Sequence, residues 1–123
     1  MERRPRVLAI DDDADFREGL ADVLDDLGYS VTAAASGREA LEVLRRDPRP
    51  DVILLDLRMP DMDGRRFREE QERDAALSSI PLVVVSGSRD VEREGRSLGA
   101  DAILPKPFRV RSLLESIDRV TNH

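Results

Sequence analysis

The chain has 123 residues, enough for one hydrophobic core and too few for two, which excludes a two-domain enzyme. Asp and Glu number 26 against 20 Lys and Arg, a formal net charge of −6, the wrong sign for gripping a nucleic-acid backbone or an anionic membrane. Cys is absent, the one His is the last residue, His123, and the aromatics are Phe16, Tyr29, Phe67 and Phe108, so thiol chemistry, an interior imidazole base, Cys or His metal sites and a base-stacking platform are excluded too.

The basic start, through Arg6, meets only Val7, Leu8, Ala9 and Ile10 before three aspartates. That is too short for a secretory apolar region, and no later run approaches membrane-spanning length, so a cytoplasmic protein is expected. Residues 7–10 read as a strand buried on both faces, ending at Asp11-Asp12-Asp13. Phe16, Leu20, Val23 and Leu27 then fall at helical spacing and predict a helix from about Ala14, stopped at Gly28, with these four facing inward. Residues 29–33 read as a weaker, edge strand. Ser36 and Glu39 match a capping box for a helix carrying Ala40, Leu41 and Leu44 and ended by Asp47-Pro48.

Residues 52–55 are a third apolar strand, ending at Asp56. Residues 64–77 are charged almost all round, with Phe67 as the main inward anchor, and predict a weakly docked helix. Residues 82–85 form the fourth strand and run into Ser86-Gly87-Ser88. The helix over 90–98 has only Val91 and Leu98 as anchors, and Gly95 inside it costs about 1 kcal/mol relative to Ala, so it should be the least stable. Residues 102–104 are the fifth strand, followed by Lys106-Pro107 and by a last helix with the stripe Val110, Leu113, Leu114, Ile117 and Val120.

Strands alternating with helices predict an α/β fold, a parallel sheet with helices on both faces, as one domain over residues 1–123 and with no output domain after His123. Ligands in such sheets bind outside the carboxyl ends of the strands. Those ends carry Asp11, Asp12 and Asp13, then Asp56, then Ser86, Gly87 and Ser88, and finally Lys106. Each has an ordinary explanation alone: Asp12 or Asp13 as a helix cap, Asp56 as a turn former, Ser86-Gly87-Ser88 as turn chemistry and a cap for the next helix, Lys106 as a solvated lysine. Their convergence on one edge of one sheet outweighs those explanations.

Carboxylates brought together repel unless a cation joins them, and Asp11, Asp12 and Asp56 suit Mg2+, a hard ion content with a few carboxylates and several waters. Without Cys or an interior His, the available nucleophile is a carboxylate, Asp56, and carboxylates attack phosphorus to give acyl phosphates. Lys106 is the single Lys among nineteen Arg, and it offers a compact point charge for phosphoryl oxygens.

With these residues placed, the chain resembles the receiver domains of two-component response regulators over nearly its whole length. The resemblance is carried by Val7-Leu8-Ala9-Ile10-Asp11-Asp12-Asp13, Asp56-Leu57-Arg58-Met59-Pro60-Asp61-Met62-Asp63-Gly64, Ser86-Gly87 and Lys106-Pro107-Phe108. It implies a flavodoxin-like (βα)5 sheet in the order 2-1-3-4-5, with Asp56 as phosphoacceptor for a sensor histidine kinase or histidine phosphotransfer protein. It further implies Mg2+ held by Asp12 and Asp56 directly, by Asp11 through water and by the backbone carbonyl of Arg58. Ser86 would be the switch hydroxyl, the Gly87 amide a phosphoryl contact, Lys106 the phosphoryl partner, and the Lys106-Pro107 peptide cis.

By the same resemblance the chain is a phosphoacceptor signalling domain, not an enzyme in the usual sense, though it promotes its own phosphorylation and dephosphorylation. It would act on a downstream protein target, with no direct contact to nucleic acid or membrane. The kinase would dock near Ala14, Asp15, Glu18, Pro107 and Phe108, unless Phe108 belongs to the core. Three departures stand out: Ile103 where the family usually has an aromatic, a short helix with Gly95 after Ser86, and a third helix short of apolar residues. The alternatives are an interaction module that takes no phosphate and, more remotely, a haloacid-dehalogenase-type aspartyl-phosphate phosphatase built on Asp11-Asp12-Asp13, whose following Gly-Thr pattern and cap domain are missing here.

Overall fold

Strands with apolar side chains on both faces can be buried only if helices cover both sides of their sheet. The computed structural model, which describes residues 4–57 and 64–121, is built that way. In chain order it has β1 (Arg6–Ile10), α1 (Ala14–Asp26), β2 (Ser30–Ala34), α2 (Gly37–Arg46), β3 (Val52–Asp56), α3 (Gly64–Arg73), β4 (Leu82–Ser86), α4 (Val91–Ser97), β5 (Ala102–Pro105) and α5 (Val110–Thr121). All neighbouring strands are parallel in the order β2-β1-β3-β4-β5, the flavodoxin-like arrangement.

Alternate strand residues supply two cores. Leu8, Ile10, Ile53, Leu55, Leu82 and Val84 pack under α2, α3 and α4, and Val7, Val52, Leu54, Val83, Val85 and Leu104 under α1 and α5. Two aspartates staple the N-terminal edge of the sheet. Asp51 Oδ2 accepts from the Arg6 amide at 2.8 Å while its own amide donates to the Arg6 carbonyl at 2.8 Å, and Asp101 makes the same pair of 2.8 Å bonds to Leu82. Register between β1 and β3 and between β4 and β5 is thereby set from the edge opposite the strand ends that carry the candidate site. No helix among the described residues is long and apolar enough to cross a membrane.

Two expectations need correction. In α1 the fully buried residue is Leu24, while Val23 and Leu27 are 36% and 40% exposed. Consecutive residues lie about 100° apart around a helix, so centring the buried face on Leu24 turns Val23 to its margin, and Leu27 stands at the C-cap. Val110, at the first position of α5, is likewise exposed.

The second correction concerns α3, which ends at Arg73 and is firmly docked. Its end is set by Asp74, whose side chain accepts from the Ala76 amide at 2.9 Å and so offers the backbone a turn in place of another helical residue. Phe67 is buried as expected, but so are Arg68 and Gln71. Gln71 Nε2 donates to the carbonyls of Leu77 and Ile80 at 2.9 and 3.2 Å, and Arg68 donates to Gln71 Oε1 at 2.9 Å and to the carbonyls of Leu98 and Gly99 at 3.0 and 3.2 Å. A helix poor in apolar residues thus docks through buried hydrogen bonds. Gln71→Ala, which strands those partners, is expected to lower the unfolding free energy by about 1–3 kcal/mol. Glu72→Ala removes only a long, 3.9 Å ion pair from an exposed carboxylate to Arg68 and should change it by less than about 1 kcal/mol. Urea unfolding of the two variants checks the contrast.

Candidate functional site

The carboxyl ends of β1, β3, β4 and β5 open into one cleft of about 570 Å³ lined by Asp11, Asp12, Asp13, Asp56, Ser86, Gly87, Ser88, Arg89 and Lys106. Each strand delivers its residue by ending at this edge. Asp56 is the last residue of β3 and pairs in register with Val85 of β4, so Ser86 stands one step further along the adjacent strand.

Asp11 is 3% exposed and fully engaged. Its Oδ1 accepts from the Asp13 amide at 2.9 Å, its Oδ2 accepts from Lys106 Nζ at 2.8 Å, and its carbonyl accepts from Arg17 Nη1 at 2.8 Å. Asp12 is exposed, and Asp13 caps α1 by accepting from the Phe16 amide at 3.2 Å, the capping role expected of it. Asp56 is 8% exposed, with Oδ2 at 3.8 Å from Lys106 Nζ. A single ammonium therefore stands between the carboxylates of β1 and β3. Lys106 is placed by its amide, which donates to the Ser86 carbonyl at 2.8 Å, and by the Phe16 ring, whose centroid lies 4.0 Å from Nζ. The Lys106-Pro107 peptide is cis. Phe108 packs edge-on to Phe16, centroids 6.0 Å apart, half-buried against the α1 and α5 core.

Among the described residues, Asp11, Asp12 and Asp56 each offer one carboxylate oxygen, all within 4.8 Å of one another. Hard oxygen donors, two buried and one facing an open cleft that admits water, fit Mg2+. Four carboxylates against Lys106 and Arg89 also leave the lining with excess negative charge that a divalent cation would offset. Arg58 lies outside the described residues. Ser86 is buried, with Oγ accepting from the Ser88 amide at 3.1 Å.

Asp11, Asp12, Asp56, Ser86, Gly87 and Lys106 therefore meet at one cleft, as the strand ends foretold. Three contributors were not foreseen: Phe16 beneath Lys106, Arg17 on the Asp11 carbonyl, and Arg89 on the rim. The helical stripe of α1 predicts Phe16 as core, and no local pattern separates Arg17 or Arg89 from the other arginines.

The family model described as response regulator receiver domain matches residues 7–118. The response regulator MprA of Mycobacterium leprae is 40% identical over 114 residues, covering 91% of this chain and 49% of that protein. The chain thus spans about half the length of such curated relatives. Among solved structures, the chemotaxis response regulator CheY4 of Vibrio cholerae superposes with a TM-score of 0.84 at 36% identity over 94% of this chain and 98% of that one. The response regulator TrrA of Thermotoga maritima, in complex with Mg(2+)-BeF, gives 0.83 at 25% identity over 95% and 99%.

Proposed function

The chain belongs to the response regulator receiver domain family, and on that premise we propose that Asp56 accepts a phosphoryl group from a phosphohistidine and that the resulting acyl phosphate resets the surface around α4. The observation that carries this reading is Lys106 Nζ, at 2.8 Å from Asp11 and 3.8 Å from Asp56 beside three carboxylates within mutual reach. Receiver domains are signalling domains. In this one the protein's share of the chemistry is placement and charge.

An Asp56 oxygen attacks phosphorus in line, the donor's phosphorus–nitrogen bond breaks, and the imidazole leaves as a neutral ring once protonated. Lys106 moves its charge from the carboxylate pair toward the phosphoryl oxygens, the Ser86 hydroxyl turns to donate to one of them, and the Gly87 amide lies beside it. Mg2+, which Asp12 and Asp56 would hold directly, Asp11 through water and, on the family resemblance, the Arg58 carbonyl too, would supply neutralisation of the phosphoryl charge. In hydrolysis water attacks phosphorus, the bond to the Asp56 oxygen breaks and inorganic phosphate leaves while Lys106 and Ser86 again face the phosphoryl oxygens, so the chain would promote both halves of its own cycle.

The donor would be a sensor histidine kinase or a histidine phosphotransfer protein, docking where Ala14, Asp15, Glu18 and Pro107 are exposed beside the cleft. The recipient of the signal would be a protein, since the net charge of −6 disfavours direct nucleic-acid contact by this chain. Family membership sets aside the haloacid-dehalogenase-type reading.

The test is incubation with acetyl phosphate and Mg2+, followed by intact-mass measurement. A gain of one phosphoryl group, located at Asp56, is expected. Failure to gain it from either acetyl phosphate or a phosphorylated phosphotransfer protein overturns the reading and leaves an interaction module that takes no phosphate. Chelation by EDTA is expected to abolish the gain, and Mg2+ at about a hundred times its dissociation constant should stabilise the fold by about 2.7 kcal/mol, read as a raised Tm.

A further inference from the structure

Among the described residues, α4, the helix that must respond to the cleft, makes polar or close contacts at its C-terminal end, its middle and its N-terminal end, and those at the N-terminal end lead back to Ser86. Its C-terminal end is held from α3, by Arg68 on the Leu98 and Gly99 carbonyls at 3.0 and 3.2 Å and by Arg65 on the Ser97 hydroxyl. Its middle rests on β5, where a Cβ at Gly95 would lie 2.7 Å from Ile103 Cγ1. The Ile103 side chain has no polar atom, so its contact with α4 is packing alone.

The N-terminal end is different. Asp90, at the N-cap, makes no side-chain cap bond, and Ser88, two residues earlier, makes side-chain hydrogen bonds at this end. Ser88 Oγ accepts from the Asp90 amide at 3.1 Å and donates to Glu94 Oε1 at 3.0 Å, one turn into the helix, while the Ser88 amide donates to Ser86 Oγ at 3.1 Å. Ser86 and Glu94 are thus joined by consecutive hydrogen bonds through one residue.

We propose that the Ser88–Glu94 hydrogen bond transmits the turn of the Ser86 hydroxyl into the N-terminal half of α4, with Glu94 as the positioning residue. This rests on the reading of Asp56 as phosphoacceptor. When Ser86 Oγ swings toward a phosphoryl oxygen, the Ser88 amide loses its acceptor unless the loop follows, and an unsatisfied donor at half-buried Ser88 is costly. Ser88 cannot move alone, because its hydroxyl is committed to a carboxylate, the stronger kind of hydrogen bond. Residues 87–96 therefore shift together. The Arg68 contacts hold Leu98 and Gly99 in place, so α4 pivots about its C-terminal end across the Gly95–Ile103 contact.

The experiment compares amide NMR shifts of the full chain with and without beryllofluoride and Mg2+, with binding read separately from the bound fluorine resonance. In the unsubstituted protein, shifts are expected from Ser88 to Arg96 and little change at Leu98 and Gly99. Glu94→Ala is expected to bind beryllofluoride and shift residues 87–89, yet to show shifts at residues 92–96 reduced about twofold or more. Glu94→Gln, which keeps an acceptor oxygen in place, restores them. Ser88→Ala cuts the same bond from its other end and must reproduce the loss in α4. Full-size shifts at residues 92–96 in Glu94→Ala or Ser88→Ala, or no recovery in Glu94→Gln, overturn the relay. Absence of a bound fluorine signal in the unsubstituted protein overturns the phosphoacceptor reading first, and the relay with it.

Discussion

Asp56→Asn is expected to abolish phosphoryl incorporation while leaving the fold intact. The amide is nearly the size of the carboxylate, so β3 keeps its place between β1 and β4 and its register with Val85. What is lost is the nucleophile, because an amide oxygen is far too weakly basic to attack phosphorus at neutral pH. Neighbouring carboxylates do not substitute. Asp11 is buried against Lys106 and the Asp13 amide, and Asp13 caps α1. Intact mass after acetyl phosphate treatment should show no phosphoryl adduct in Asp56→Asn and one in the parent chain, while far-ultraviolet circular dichroism stays unchanged. An adduct surviving in Asp56→Asn would remove Asp56 from the role proposed for it.

The second large effect is expected from Lys106→Ala. Its ammonium is the basic group placed between Asp11 and Asp56, and removing a positioned donor to developing phosphoryl charge lowers the rate about 10²–10³-fold. Lys106→Arg should fail to rescue it. The ammonium fits as a point charge above the Phe16 ring at 4.0 Å, whereas a guanidinium is a broad planar fork. Lys106→Ala also leaves the buried Asp11 carboxylate without its charge partner, at a cost of up to about 3 kcal/mol. A time course of phosphorylation reads the first effect and urea unfolding the second. A rate within about threefold of the parent would show that Lys106 does not contribute as proposed.

Much of this molecule was legible because its decisive features are short-range. Four strands announced themselves as continuous apolar runs, and their ends fell within a residue of those read. Asp13 and Ser36 cap α1 and α2 through bonds to Phe16 and Glu39 only three residues away. Once the alternation of strand and helix implied a parallel sheet, all strand carboxyl ends had to lie on one edge. Asp11, Asp12, Asp56, Ser86 and Lys106 then had to meet there, although Lys106 and Asp11 are 95 positions apart.

Tertiary structure alone decided which side chains connect the elements. Nothing in the charged pattern of this helix singles out Arg68 or Gln71, yet both are buried because carbonyls at Leu77, Ile80, Leu98 and Gly99 meet their donors. Gly95 looked like a mere weakness in α4 until Ile103 proved to occupy the space a Cβ would need. Ser88 looked like turn chemistry and turned out to join Ser86 to Glu94. The reason is the same throughout. Apolar burial and capping are written in the spacing of neighbouring residues, whereas the value of a polar side chain depends on whether a distant segment brings it a partner.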